Sequence, residues 1–244
     1  MKLIFPVTDD IVSIIPHFVR HYALRGITEF IAVVPDFKYL TTAIRSAWTR
    51  SRLTNPFIVE TFPMESGKEF IEGIEQELLI KTQKKYIGDK EWFAIADPDE
   101  FIGISNIPAF VERWRNMADY LHGTVIDRID PDGRLLEIED ESNVYQLFPR
   151  RCNIMGGVFK SCINKVLLIR GDVSYIVGRH KAAGKGLFNM YRIDHFKWTH
   201  DVLERLFVRS ERRKTLNLPG YKGNPLIDTG LLVDGKLQVS KIPL

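Results

Sequence analysis

The chain has 244 residues, of which 45% are hydrophobic and 27% are charged, and its formal net charge is +3. This composition is typical of a folded globular protein long enough to bury a substantial core. The excess of positive charge is too small to argue for a nucleic-acid partner.

Cysteine content and the absence of long apolar runs bear on where the protein works. Cys152 and Cys162 cannot build a disulfide framework, and they lack the spacing of a metal site. No apolar run approaches the ~18 residues that a transmembrane helix needs. The opening Met1 to Pro6 is too short and too soon interrupted for a signal peptide. The sequence therefore predicts a cytoplasmic protein.

The first hundred residues alternate between strand and helix patterns. Strands are predicted at 3–7, 29–34, 57–62 and 93–97, and helices at 11–24, 41–53 and 67–86. Asp9 or Asp10 is a suitable N-cap for the first helix, and Ser66 for the third. This order predicts a parallel sheet with right-handed crossovers, which is typical of a nucleotide-binding α/β fold.

The remainder of the chain has shorter elements and more turn residues. Helices are predicted at 107–117 and 201–214, strands at 125–129, 135–138, 144–148, 166–169, 174–177 and 191–195, and a hairpin turn at 233–236. No linker or repeat interrupts the chain. We therefore expect one domain over 1–244, with a nucleotide-binding half at 1–104, a second half at 105–214 and a tail at 215–244.

The segment from Trp92 to Phe101 is the most informative in the chain. An apolar run of strand length is followed by Asp97, Pro98, Asp99 and Glu100. Ligands of open α/β sheets bind beyond the carboxyl ends of the strands, and carboxylates held together there need a cation or a proton between them. Mg²⁺ and Mn²⁺ are bound by such carboxylates together with substrate phosphates. The alternative is an ordinary Asp-Pro-Asp turn.

This segment resembles the metal-binding motif of GT-A glycosyltransferases, in particular the family 2-related group that carries D-x-D-E-F after an aromatic-led strand. Further segments resemble that group in the same order, over roughly residues 1 to 214. They are the opening 5–10, the helix with His17 to Tyr22, Asp127-Arg128-Ile129 with Asp132-Gly133, the stretch 147–152, and His195 to Trp198. In place of the usual N-E after the first strand, this chain has Thr8-Asp9-Asp10.

The resemblance implies a GT-A-like, mostly parallel central sheet flanked by helices, with a smaller antiparallel C-terminal part. It implies inverting transfer of a sugar from a nucleotide-diphosphate sugar to a saccharide, lipid or protein acceptor, with Mn²⁺ or Mg²⁺ as cofactor. Asp97 would contact the nucleotide ribose or the metal, and Asp99 the metal. A third ligand is expected from His180 or His195, although a lone histidine is more often structural.

Four other residues are candidates for the same site. Asp127 is the first candidate for the general base, and Glu100 the second, although Asp127 could instead pair with Arg128 or cap a turn. Asp10 would touch the nucleobase or ribose. Lys181 and Lys185 lie in a loop with two glycines and are expected to close over the diphosphate, unless this is a plain surface loop.

Two other functions use the same sheet and the same acidic pair. One is a metal-dependent nucleotidyl- or phosphotransferase, and the other is a catalytically silent protein that binds a nucleotide sugar. The basic residues between 205 and 214 lie in one predicted helix. They are interpreted as a solvated face, with weak contact to an anionic membrane surface as the alternative.

Overall fold

The structure, a computed structural model, describes residues 1–63, 72–215 and 225–243. These residues form two compact units. Unit 1 contains Met1–Val125 and Asn164–Asp194, and unit 2 contains Ile126–Ile163 and His195–Leu244. The chain passes between the two units at 125/126, 163/164 and 194/195.

The elements of the described residues are as follows. The strands are β1 Lys2–Pro6, β2 Glu29–Pro35, β3 Phe57–Phe62, β4 Trp92–Ile95, β5 Glu100–Ile102, β6 Tyr120–Ile129, β7 Arg150–Cys152, β8 Asn164–Arg170, β9 Gly186–His195, β10 Leu232–Val233 and β11 Lys236–Leu237. The helices are α1 Ile15–Ala23, α2 Lys38–Ser51, α3 Glu72–Tyr86, α4 Ile107–Trp114, α5 Val144–Leu147, α6 Val202–Thr215 and α7 Pro225–Asp228.

Unit 1 is built around a mixed sheet with the strand order β3-β2-β1-β4-β8-β6-β9-β5. Its first four strands are parallel, whereas β8 runs antiparallel to β4 and β6 antiparallel to β8. Ile4, Ile31 and Phe93 are fully buried, because strands in the middle of such a sheet are covered on both faces. The predicted α/β class, with a large central sheet flanked by helices and a smaller antiparallel part, is confirmed.

The core on one face of this sheet is closed by α3. Leu78 and Leu79 of that helix pack with Ile4, Phe93 and Val166 in a single buried cluster. Gln83 also fixes the helix, because its side-chain amide donates to the carbonyl oxygens of Gly171 at 2.7 Å and Val173 at 3.0 Å. The predicted start of this helix, at 67–71 with Ser66 as its cap, lies outside the described residues.

Unit 2 has a core of its own around Trp198, which is 1% exposed. Strand β7 pairs with the segment of β6 from Asp127 to Ile129. The predicted hairpin turn is confirmed, since β10 and β11 are antiparallel and Asp234 and Gly235 between them have φ angles of 50° and 72°. Among the described helices, none is long and apolar enough to cross a membrane.

Several predicted elements differ from the observed ones. Residues 144–148 were predicted as a strand, but they form helix α5, because the Asn143 side chain accepts the backbone N–H of Tyr145 at 3.0 Å and starts a helical turn. Residues 135–138 and 174–177 form no strand, and β5 and β7 were not predicted. The first helix begins as a 3₁₀ segment at Asp9–Ile14 with Thr8 at its N-cap position, so neither Asp9 nor Asp10 is the cap.

Candidate functional site

The carboxyl ends of β1 and β4 form the point at which the order of the parallel strands reverses. β1 lies between β2 and β4, so the chain proceeds to one side of β1 through β2 and β3 and returns on the other side with β4. The pairing of β1 with β4 continues one residue past the end of β4, because the backbone N–H of Ala96 donates to the carbonyl oxygen of Ile4 at 3.3 Å. This reversal is where open α/β sheets bind their ligands.

The acidic segment after β4 is a short turn that leads directly into β5. The backbone N–H of Glu100 donates to the carbonyl oxygen of Asp97 at 2.9 Å, and the N–H of Asp97 donates to Oε2 of Glu100 at 3.1 Å. Tyr22 Oη donates to the Glu100 carbonyl oxygen at 3.0 Å, which anchors the turn to α1. The turn interpretation is therefore correct, and the turn holds two carboxylates close together.

Two basic side chains neutralise these carboxylates. Lys165 Nζ lies 3.0 Å from Oδ2 of Asp97 and also contacts Oε1 of Glu100. Arg179 Nη2 lies 2.7 Å from Oδ1 of Asp97 and 3.3 Å from Oε2 of Glu100. We call these four residues the acidic–basic cluster. Each cation touches both carboxylates, so the four charges alternate around the cluster.

All members of the cluster for which a pKa shift is resolved are held in their charged forms. Burial alone would raise the pKa of Asp97, but the charges of Arg179 and Lys165 hold it well below its usual range. Burial would lower the pKa of Lys165 and of Arg179, but the carboxylates of Asp97 and Glu100 raise both instead. Asp97, Lys165 and Arg179 are therefore ionised at neutral pH.

Arg179 reaches the cluster through an unusual backbone conformation. Gly178 has a φ angle of 72° and Arg179 itself has a φ angle of 55°, within a 3₁₀ turn at Val177–Arg179. A non-glycine residue with positive φ costs free energy and persists only where its surroundings fix it. The Arg179 side chain is 2% exposed, so its ion pairs with the buried Glu100 and with Asp97 provide that fixation.

The predicted metal ligands are a poor fit for a divalent cation at Asp97. Both of its carboxylate oxygens already contact a cation, and a metal ion would lie beside Lys165 and Arg179. Asp99 is half-buried in the same turn, and His180 directs Nδ1 to the carbonyl oxygen of Asn164 at 2.9 Å. Within the described ranges, no three His, Cys, Asp or Glu side chains are grouped so that they could hold a metal ion.

The loop that carries Lys181 and Lys185 is tied to the sheet more firmly than the sequence indicated. The backbone N–H of Lys185 donates to Oδ2 of Asp119 at 2.7 Å, and the N–H of Asp119 donates to the Lys185 carbonyl oxygen at 2.7 Å. A Cβ atom at Gly184 would lie 2.5 Å from Oδ2 of Asp119. Close packing, in addition to a φ angle of 93°, therefore explains this glycine, which was interpreted as a sign of mobility.

In unit 2, Asp127 is the centre of a buried hydrogen-bond group. Its Oδ1 accepts from His195 Nδ1 at 2.9 Å and from Trp198 Nε1 at 2.9 Å, and its Oδ2 accepts from the Met155 backbone N–H at 2.8 Å. Met155 belongs to a π-helical turn at Ile154–Val158, a conformation that is frequent at functional sites. The Asp127 side chain is 1% exposed.

This geometry changes the roles that we expected for Asp127 and His195. Asp127 is 1% exposed and accepts three hydrogen bonds, so its oxygens are poorly accessible to an acceptor hydroxyl group. The carboxylate instead fixes the tautomer of His195 with the proton on Nδ1, which places the basic lone pair on Nε2. Asp127 is thus a residue that orients a histidine, and His195 is the member of the pair that could accept a proton or bind a metal.

The sequence identified some of these residues and missed others. Asp97 and Glu100 were found because they follow an apolar strand, whereas Arg179, just before the loop with Lys181 and Lys185, was assigned no role of its own. Lys165 was missed because nothing local marks it. Asp10 lies in the 3₁₀ segment after β1, and its side chain is outside the described part of the structure.

Comparisons with known proteins give distant similarities only. The chain matches no protein-family model and no curated protein. A crystal structure of HddC from Yersinia pseudotuberculosis is 12% identical, with 84% of this chain and 96% of that chain covered and a TM-score of 0.44. Glucosyl-3-phosphoglycerate synthase from Mycobacterium tuberculosis, solved with Mn²⁺, UDP and glucosyl-3-phosphoglycerate, is 12% identical, with 90% and 80% covered and a TM-score of 0.40. Similarities of this degree assign neither a family nor an activity.

Proposed function

We propose that the chain transfers a sugar from a nucleotide-diphosphate sugar to a saccharide, lipid or protein acceptor. The observation that carries this proposal is the position of the turn with Asp97 and Glu100, directly past the carboxyl end of β4 and beside β1 where the strand order reverses. Carboxylates at this edge can accept from sugar hydroxyl groups, and the adjoining cations can face phosphate oxygens.

The residues at this edge have different proposed roles. Asp97 is ionised and its side chain is 31% exposed, so it is an available acceptor for the hydroxyl groups of a ribose. Asp10 follows β1 at the same edge and remains a proposed contact of the nucleobase or ribose. Lys181 and Lys185 are exposed and remain proposed contacts of the diphosphate.

Neither predicted general base has the surroundings that this role requires. Glu100 is 1% exposed and contacts both Lys165 and Arg179, so its carboxylate oxygens are poorly accessible to an acceptor hydroxyl group. Asp127 is equally buried and accepts three hydrogen bonds. We therefore propose that both are positioning residues, Glu100 for the two cations and Asp127 for His195.

The Mn²⁺ or Mg²⁺ that the sequence resemblance implies enters no step of this proposal. Asp97 contacts two cations already, and Asp99 is half-buried in the same turn.

The proposed function is tested by thermal shift and turnover with UDP-, GDP- and dTDP-sugars. A donor at about 100-fold excess over its Kd stabilises the native state by about 2.7 kcal/mol, which raises the Tm by about 5 °C or more. Release of a nucleoside diphosphate identifies sugar transfer, whereas release of pyrophosphate from a nucleoside triphosphate and a sugar phosphate identifies a nucleotidyltransferase.

A matched pair of variants shows whether the acidic turn is responsible. Asp97→Asn is expected to abolish the shift. Asp172→Asn is the control and is expected to leave the shift unchanged. Asp172 lies just past β8 and is also an acidic residue in an ion pair, with its Oδ1 2.6 Å from Nε of Arg170. If no nucleotide sugar stabilises the wild-type chain or is consumed by it, the proposed function is wrong.

A further inference from the structure

The acidic–basic cluster contains two cations, each of which is held by two carboxylates. Lys165 Nζ and Arg179 Nη2 each contact both Asp97 and Glu100. Removal of either cation therefore leaves each carboxylate with one neutralising cation in place of two. Arg179 and Glu100 are 2% and 1% exposed, whereas Lys165 and Asp97 are 16% and 31% exposed. The cluster therefore has a buried side formed by Arg179 and Glu100 and an accessible side formed by Lys165 and Asp97.

The two cations have hydrogen-bond donors beyond those that the carboxylates use. Lys165 Nζ has three N–H groups, and it contacts two carboxylate oxygens. Arg179 Nε is buried and has no acceptor among the described residues. A guanidinium group has five N–H donors in a planar fork that matches the oxygens of a phosphate. The cluster thus has unused donors of the kind that bind phosphate.

The same arrangement works against a divalent ion at Asp97. A metal bound there would have to displace Lys165 from Oδ2 or Arg179 from Oδ1, and it would then lie next to the displaced cation.

We infer that Lys165 and Arg179 bind the diphosphate of the donor directly, with Asp97 and Glu100 as the residues that position them. The role that a divalent cation at Asp97 would have in neutralising the diphosphate belongs, in this chain, to two side chains. The inference rests on the proposed function for the identity of the donor, but the anion site itself can be tested without it. As sugar transfer proceeds, an acceptor hydroxyl oxygen forms a bond to the anomeric carbon and its proton passes to water, while the bond from the anomeric carbon to the diphosphate oxygen breaks and the nucleoside diphosphate leaves. Lys165 and Arg179 stabilise the charge that develops on that diphosphate oxygen.

The test uses two probes, inorganic pyrophosphate and UDP, and measures their Kd by calorimetry in EDTA and in excess Mn²⁺. We expect the wild-type chain to bind both probes in EDTA, with Kd values within about twofold of those in Mn²⁺. Lys165→Met and Arg179→Lys are each expected to weaken binding by about tenfold or more, since each removes charge-assisted hydrogen bonds to phosphate.

Two further variants keep the test decisive. Arg170→Met is the control, because Arg170 lies on the same strand as Lys165 but pairs with Asp119 and Asp172, and it is expected to bind both probes like the wild type. Lys165→Met combined with Glu100→Gln removes one cation and one anion together, so the cluster stays neutral if the single variant fails to fold.

Each outcome separates this inference from the proposed function. Binding of pyrophosphate that requires Mn²⁺, or that survives Lys165→Met unchanged, overturns the inference. Binding of pyrophosphate in EDTA, without binding of UDP or any other nucleoside diphosphate, supports the anion site and overturns the proposed function instead.

Discussion

Nδ1 of His195 lies 2.9 Å from Oδ1 of Asp127, and the same oxygen accepts the indole N–H of Trp198 at 2.9 Å. Since an indole nitrogen can only donate, Asp127 must act as the acceptor for both neighbours. This pair therefore fixes which nitrogen of His195 has the proton.

Asp127→Asn is expected to lower the free energy of unfolding by about 2–3 kcal/mol, because the new amide presents an N–H group to neighbours that are themselves donors. In the wild-type chain, ¹⁵N NMR of the histidine side chains should show His195 protonated on Nδ1, and the variant Asp127→Leu, which offers no acceptor, should lose this preference. An unchanged tautomer in the variant would contradict the orienting role of Asp127.

The two carboxylates of the acidic–basic cluster should differ in their contribution to stability. Glu100→Gln is expected to cost about 3–5 kcal/mol, because Glu100 is 1% exposed and its loss leaves two cations sharing one carboxylate. Asp97→Asn should cost less, about 1–2 kcal/mol, because this side chain is 31% exposed and water compensates in part. Urea unfolding of both variants measures the difference, and equal losses would contradict it.

Gly123→Ala is expected to destabilise unit 1 strongly. A Cβ atom there would lie 2.3 Å from Cε2 of Tyr191, and that ring cannot move aside, because its hydroxyl accepts from the Leu167 N–H at 3.1 Å and donates to the Leu121 carbonyl oxygen at 2.8 Å. Overpacking of this kind costs about 1–3 kcal/mol or more. Gly88→Ala is the control, since its nearest neighbour would be at 3.9 Å, and thermal unfolding should show little change.

The loop that contains Lys185 should be protected from hydrogen exchange even without a ligand. Asp119→Ala removes the acceptor of the Lys185 N–H and is expected to speed exchange at Lys185 by about tenfold, which corresponds to a loss of about 1.4 kcal/mol in local stability. Asp172→Ala is the control, because Asp172 pairs with Arg170 as Asp119 does but does not bond to the loop. Rapid exchange at Lys185 in the wild type would favour the mobile loop that the sequence predicted.

Stability should fall between pH 7 and pH 5 because of His21. Burial, with the nearby charge of Arg25, lowers the pKa of His21 from 6.5 to about 3. Below pH 6.5 His21 is protonated in the unfolded chain but stays neutral in the folded chain. The free energy of unfolding therefore decreases as the pH falls towards the folded pKa. At pH 5 this amounts to about 2 kcal/mol. Chemical denaturation at pH 7 and at pH 5 checks this. Between these pH values the free energy of unfolding of His21→Gln should fall by about 2 kcal/mol less than that of the wild type.

The fold of the first hundred residues could be predicted because the signals are local. Apolar runs in β1, β2 and β4 are bounded by Pro and acidic residues, and this pattern is sufficient to place parallel strands. The short elements of unit 2 were harder. Helix α5 reads as a strand by composition, and a single side-chain hydrogen bond from Asn143 decides otherwise.

The candidate site could be predicted only in part, for a related reason. The sequence marks Asp97 and Glu100 by their position after an apolar run, but Lys165 is brought to them by the antiparallel register of β4 and β8, in which Ala94 pairs with Leu168. Strand register between segments some 70 residues apart is set by tertiary packing and leaves no local pattern. Because the sequence does not reveal that Lys165 and Arg179 lie beside the two carboxylates, a metal ion was the expected source of positive charge.

The contact between Gly123 and Tyr191 also has a consequence for how this chain can evolve. Tyr191 bridges β8 and β6 through its hydroxyl group, and it can do so only while position 123 has no side chain. A side chain at position 123 fits only once Tyr191 has been replaced, so the two positions should covary. A related sequence with a side chain at position 123 should also have replaced the tyrosine, and it must then join those two strands in another way.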